Sequence, residues 1–157
     1  MNNNENGIKM SFSYREIIEK NGFYIATPVG TSMLPLLRER IDTVKIVKVD
    51  RKLEKGDVIL YERPNNVFVL HRIVGIKKNK QGEKYILCGD NQTNLEKYVT
   101  IDQVIGVMDG YYKEETYISI QNEDYKTYVK RRIRSRIRRK VRLFLGKIYH
   151  KIFKKKK

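Results

Sequence analysis

The chain has 157 residues and a mass of 18.7 kDa, a length that fits one domain with a sizeable hydrophobic core. Hydrophobic residues make up 40% of it, and no apolar run reaches the roughly 20 residues that cross a bilayer. The polar start MNNNENGIKM lacks the apolar stretch of a secretory leader. Cys88 is the single cysteine, which rules out an intrachain disulfide and suits a reducing compartment, so the expected location is cytoplasmic. The net charge of +16 is unevenly placed: residues 1–125 carry 18 Lys and Arg against 18 Asp and Glu, whereas residues 126–157 carry 16 Lys and Arg and no acid. A neutral body with a polycationic tail implies two tasks, chemistry or binding in the first and attachment in the second.

Residues 1–10 read as a polar extension. FSYREIIEK, residues 12–20, predicts a short helix with Ser11 or Ser13 as its N-cap and Asn21-Gly22 as its stop. From there to about residue 120 the pattern is β. Short runs rich in Val, Ile and Tyr (FYIATPV, TVKIVKV, DVILYE, NVFVLHRIVGI, KYILC, VIGVMDGYY and TYISI) are separated by turn residues. Pro64-Asn65-Asn66 and Gln81-Gly82 read as hairpin turns. Seven short strands in about a hundred residues predict a mainly β domain over residues 11–124, a small curled antiparallel sheet or barrel. No fixed-period repeat is present.

Residues 125–157 predict a long basic helix, which Gly146 is placed to bend. Val129, Ile133, Ile137, Val141, Phe144, Ile148 and Ile152 recur at steps of three and four, drawing one apolar stripe along a cationic cylinder. Such a stripe can dock on the β body, lie in a lipid interface, or line one side of a nucleic-acid-binding helix.

Inside the β region a few polar residues stand out. His71 shares a strand face with Val67, Val69 and Ile73, the setting of an ordinary packed histidine, but it has company in the sequence. Upstream lie Ser32-Met33-Leu34-Pro35 and Gly56-Asp57. His71 itself opens the run His71-Arg72-Ile73-Val74-Gly75, and downstream lie Gly89-Asp90-Asn91 and Val104-Ile105-Gly106. In this order they resemble the boxes of the signal-peptidase family of serine proteases, over roughly residues 12–112. The resemblance implies a signal-peptidase-type β fold and a serine endopeptidase with Ser32 as nucleophile and His71 as general base. It implies a preference for small side chains at the first and third positions before the cut. The usual bacterial member has lysine where this chain has His71, so the chain looks like the Ser-His branch, as in endoplasmic-reticulum and archaeal signal peptidases. The chemistry is consistent: a lysine must be desolvated to lose its proton near neutral pH, whereas imidazole, with a pKa of about 6.5, is already poised.

A histidine base is normally oriented by a third group, and two acids are available, Asp90 and Glu96. In the Ser-His relatives the orienting acid lies a few residues beyond the Gly-Asp-Asn box, which favours Glu96, with Asp90 bracing the loop. Many bacterial members carry a hydroxyl two residues before the nucleophile; here that position is Gly30. The oxyanion is then expected to rest on the backbone N–H of Ser32, assisted by Thr31, and Gly30 lets an extended substrate backbone approach closely. Pro35 is expected to rigidify the turn after Ser32, and Met33 to plug the floor of the groove. Cys88 reads as core, Gly56-Asp57 as a turn that starts a strand, and His150 as non-catalytic. No metal-ligand spacing and no phosphate-cradling loop occurs, so no cofactor is expected.

Three functions follow for comparison. The first is a serine endopeptidase acting on a peptide or precursor protein, peripheral at the inner face of the cell membrane through residues 126–157. The second is a nucleic-acid-binding regulator, since the self-cleaving SOS repressors share the peptidase fold; no helix-turn-helix precedes the body, however, and those repressors use a lysine base. The third is a catalytically inactive module attached to a membrane surface, where polybasic segments gain about 1 kcal/mol per Lys or Arg.

Overall fold

The computed structural model describes residues 13–64, 66–80 and 82–136. Helix α1 (Tyr14–Asn21) starts at Ser13, whose hydroxyl accepts from the Glu16 N–H while the Glu16 carboxylate accepts from the Ser13 N–H. That reciprocal pair satisfies two donors a helix start leaves open. The helix stops at Gly22, where φ of 80° suits a residue without a Cβ. Of the two N-caps the sequence offers, Ser13 is the one used; Ser11 lies outside the described residues.

Eight strands follow: β1 (Phe23–Ala26), β2 (Thr43–Val47), β3 (Val58–Arg63), β4 (Val67–Asn79), β5 (Gly82–Cys88), β6 (Glu96–Val99), β7 (Val104–Lys113) and β8 (Thr116–Ser119). A single 3₁₀ turn, Ile101–Gln103, precedes β7. Every pairing is antiparallel, in the order β1-β2-β7-β3-β4-β5-β6, with β8 added to β7. The expected mainly β fold is present, as an open sheet rather than a closed barrel, because β1 and β6 end the path without pairing with each other. All seven sequence-predicted strands form. The eighth, β6, was not expected. The two predicted hairpin turns fall where β3 meets β4 and β4 meets β5, although Asn65 and Gln81 lie outside the described residues.

Both faces of the sheet are covered. Val58 and Leu60 of β3 enter one apolar cluster with Ile18, Met33, Leu36, Leu37, Val44 and Ile46. Their neighbours Ile59 and Tyr61 enter the other, with Leu53, Ile73, Tyr85 and Leu87. A strand buried on both faces reads as a continuous apolar run, which is why VILY carries no polar alternation.

The chain then enters a helix, α2, described over residues 123–136. Asn122 caps it, its Oδ1 accepting from the N–H groups of Asp124 (2.8 Å) and Tyr125 (3.3 Å). Glu123 and Asp124 in the first turn suit the positive end of the helix dipole. Tyr125 is buried, and Tyr128 and Val129 pack against the first cluster. Val129 and Ile133 face Gly56: a Cβ built on that glycine, at φ of 112°, would lie 3.0 Å from Val129 Cγ1 and 3.7 Å from Ile133 Cδ1. The first two positions of the apolar stripe therefore dock on the β body. The stripe from Ile137 onward, and the proposed bend at Gly146, lie outside the described residues. No helix among the described residues is long and apolar enough to cross a membrane.

Because α2 closes part of the core, Tyr125→Ala is expected to lower unfolding stability by about 3–5 kcal/mol, the usual cost of emptying a buried aromatic site. Tyr125→Phe, which keeps the ring and loses one hydrogen-bonding hydroxyl, is expected to cost only about 1 kcal/mol. Urea denaturation of both variants checks the pair.

Candidate active site

The site lies at the end of the β4–β5 ladder. His71 is paired with Ile59 of β3, so it shares the face of Ile59 and Tyr61 and is 2% exposed. Its Nδ1 lies 3.0 Å from Glu96 Oε1, and Tyr61 Oη stands 3.4 Å from the same nitrogen. An ionised carboxylate only accepts, so the proton of the neutral ring sits on Nδ1 and Nε2 is left as the free acceptor. Glu96 is itself held: Arg63 Nε donates to its Oε2 at 2.8 Å, and Arg63 Nη2 donates to Oε1. Position 96 starts β6, opposite Leu87.

Electrostatics sets the protonation states. Burial lowers the His71 pKa below its ordinary value; Glu96 opposes that shift and Arg63 adds to it, and burial prevails. Burial pushes Glu96 up, but hydrogen bonds from Arg63 and Tyr61 outweigh it and hold the carboxyl below its usual range. At neutral pH the pair is therefore carboxylate and neutral imidazole.

The other acid does different work. Asp90 pairs through both oxygens with Arg72, at 2.8 Å to Nε and 2.7 Å to Nη2, with both side chains 1% exposed. Arg72 Nη1 donates to the Gly56 carbonyl (2.7 Å) and to Tyr125 Oη (3.2 Å), and Tyr128 Oη donates to Asp90 Oδ2 (2.8 Å). Of the two candidate partners for His71, the structure puts Glu96 against the ring and ties Asp90 to Arg72.

Ser32 sits in a turn that leaves β1 and carries Met33, Leu36 and Leu37 into the first cluster. Arg38 closes that turn by binding the fully buried Asp42 carboxylate, through its backbone N–H at 2.7 Å and its guanidinium. Leu34-Pro35 is a cis peptide. Pairing of β4 with β5 ends at Arg72 and Cys88, so His71 and Gly89 are the next residues beyond the ladder. Ser32 packs directly on Gly89: a Cβ there would lie 2.6 Å from the Ser32 carbonyl oxygen and 3.1 Å from Ser32 Cβ. Asn91 completes the junction, its N–H donating to the Ser32 carbonyl at 2.8 Å and its Nδ2 to the Thr31 carbonyl at 3.2 Å. Ser32 thus packs on the loop that follows the β5 end of the ladder, and His71 stands next to the β4 end; no hydrogen bond joins the two among the described residues. Catalytic hydrogen bonds often tighten only when substrate closes the site. Among the described residues the Ser32 backbone N–H has no acceptor, which leaves it available to an incoming oxygen.

A cavity of about 340 Å³ opens beside Ser32, lined by Tyr14, Tyr24, Pro28, Val29, Gly30, Met33, Leu60, Phe68 and Leu70 among others. Gly30 has φ of 94° and open space where a Cβ would stand. Among the described residues the β4 segment before Arg72 has no strand partner on its β5 side, so the main-chain groups along that edge can receive another strand. Cys88 is buried, and burial raises its thiol pKa despite the nearby Arg136 guanidinium. No group of three or more metal-ligating side chains occurs among the described residues, and His150 lies outside them.

Several residues around the site were not singled out from sequence: Tyr61, Arg63, Tyr128 and Arg132; Arg72 stands in the sequence motif, without a role assigned to it there. Tyr61 and Arg63 were within reach of pattern reasoning, because a tight turn at residues 64–66 puts positions 59, 61 and 63 on the face that His71 occupies. No protein-family model matches this chain, and no curated protein does.

Protonation of the pair also contributes to the pH dependence of stability. An unfolded His71 binds its proton at the ordinary value near 6.5, the folded one only at lower pH. The contribution of neutral His71 is therefore fully present above about pH 6.5 and is lost as pH falls through the folded pKa, where the unfolded state holds more protons. Glu96, also lowered, adds a loss of the same sign at still lower pH. The difference in urea stability between the wild type and His71→Gln should narrow or reverse against the wild type from pH 7 to pH 5.

Proposed function

We propose that the protein is a signal-peptidase-like serine endopeptidase that cuts a peptide or precursor protein lying extended beside Ser32. The observation that carries this reading is the pairing of a buried, neutral His71 with a restrained Glu96 at the ladder end that Ser32 also borders. Ser32 Oγ attacks the scissile carbonyl carbon and its proton passes to His71 Nε2. Glu96 stabilises the imidazolium that forms, and the Ser32 N–H receives the developing oxyanion. Collapse expels the amine, which takes the proton from His71, and leaves an acyl-serine. Water then gives a proton to His71 and attacks the acyl carbon; the acyl–oxygen bond breaks, His71 returns that proton to Ser32 Oγ, and the product leaves as a carboxylic acid that ionises in solvent.

The substrate path is assigned to the cavity beside Ser32, which Gly30 and Met33 line, with Thr31 at its edge next to Ser32. The unpaired edge of β4 supplies main-chain partners for an extended peptide, a mode in which backbone bonds hold the strand and pockets choose its side chains. Attachment is assigned to the cationic tail, at an anionic membrane surface on the cytoplasmic side. Val129 and Ile133 serve the body, so the exposed cations Lys130, Arg131 and Arg134 and the residues beyond 136 make that contact. Anionic vesicles offered against DNA at about 0.15 M salt separate this from a nucleic-acid role: preference for DNA rejects it.

Ser32→Ala should abolish cleavage of a peptide library with small residues before the cut, while its circular dichroism and unfolding midpoint stay those of the wild type. His71→Asn should lower the rate by about 10²–10⁴-fold, the range general-base catalysis supplies. Undiminished turnover by Ser32→Ala would end the serine-peptidase reading.

A further inference from the structure

We propose that Arg132, carried by α2, is a positioning residue for Ser32, so that the helix at the root of the cationic tail holds the nucleophile in register. The inference rests on the peptidase reading above. Its basis is one guanidinium nitrogen that joins the two backbone segments enclosing Ser32. Arg132 Nη2 donates to the Leu34 carbonyl at 3.2 Å and to the Asp90 carbonyl at 2.6 Å.

Leu34 lies two residues beyond Ser32 in the same turn, with its N–H bonded to the Thr31 carbonyl at 3.3 Å. Asp90 lies between Gly89, which touches Ser32, and Asn91, whose N–H holds the Ser32 carbonyl. Arg132 therefore fastens the turn that bears the nucleophile to the loop that presses on it.

The neighbours of Arg132 on α2 secure the same loop. Tyr128 Oη donates to the Asp90 carboxylate, and Arg136 Nη2 donates to the Gln92 carbonyl at 2.7 Å and contacts Cys88 Sγ. Three successive turns of one helix face thus meet residues 88–92. Arg132 alone reaches the Ser32 turn as well. Its Nε is buried without a hydrogen-bond partner among the described residues, an arrangement that costs free energy and that the contacts of Nη2 must offset.

A role in packing alone would show as lost stability. Positioning shows as lost nucleophilicity at Ser32 in a chain that remains folded, since Asn91 still bonds the two segments when Arg132 is gone. The two are separated by the rate at which a fluorophosphonate labels Ser32, measured with kcat and KM for a cleaved peptide. Arg132→Ala should label about 10–100-fold more slowly, the cost of displacing a reacting group by up to an ångström. Its kcat should fall by the same factor, with KM within about twofold and the acid limb of the pH profile unmoved, because His71 and Glu96 are untouched. Arg132→Lys should recover part of the rate. Ile133→Ala, which loosens α2 on the body without touching either carbonyl, should lower the melting temperature yet label at the wild-type rate while folded. Labelling of Arg132→Ala at the wild-type rate overturns the proposal, as does an equal slowing in Ile133→Ala at matched stability. A wild-type chain that takes no probe and cuts no peptide overturns the peptidase reading itself, and the positioning role with it.

Discussion

The buried ion pair of Arg72 and Asp90 organises this molecule. Two charges withdrawn from water gain enough from each other only when every remaining donor and acceptor is also met. Here the guanidinium uses its Nε–Nη2 edge on Asp90 and its remaining nitrogen, Nη1, on the Gly56 carbonyl and Tyr125, while Tyr128 fills a further site on the carboxylate. That requirement draws β4, the turn before β3, the loop after β5 and α2 to one point. A shift of β4 or the loop after β5 would part the charges, and a shift of the other two would leave a buried hydrogen-bonding group unmet. The pair is thus best understood as a constraint on arrangement, whatever its net contribution to stability.

The constraint reaches the site through alternation along a strand. Arg72 points to one face of β4, so its neighbour His71 points to the other, into the cluster of Ile59, Tyr61 and Ile73. On that face the histidine is desolvated, which removes its charge, and meets Glu96, which would restore it. Burial prevails and the ring stays neutral. Arg63 and Tyr61 keep Glu96 ionised and fixed in place, so the carboxylate orients the ring instead of taking its proton. The same loop that carries Asp90 presses Gly89 on Ser32. One buried pair therefore fixes both the strand that presents His71 and the loop that packs on Ser32.

Much of this was legible in the residues. Strands with Val, Ile and Tyr between turn residues were identifiable because tertiary contacts only reinforce their local preference. Ser32, His71 and the Gly-Asp-Asn loop stood out by their order along the chain. Strand β6 escaped notice because Glu-Lys-Tyr-Val is four residues long, half charged or polar, and contains Tyr98 at φ of 71°; only the edge of β5 makes it a strand. Arg63 stands between the DVILYE run and the Pro64-Asn65-Asn66 turn, and nothing local says that it crosses the sheet to Glu96. The tail was misleading in another way. A periodic apolar stripe predicts a helix with a covered face, but periodicity does not say what covers it, and at Val129 and Ile133 the cover is the body's own Gly56 turn.

The most direct test of the account is the tautomer and titration of His71, read from imidazole ¹⁵N chemical shifts across pH. The chain has only two histidines, and His71→Gln assigns the signal. A ring protonated at Nδ1 and bare at Nε2 at pH 7, titrating below about 6.5 and losing its tautomer preference in Glu96→Gln, is the result expected. A ring that carries its proton on Nε2, or that remains an imidazolium at pH 7, would contradict the assignment of His71 as the base for Ser32.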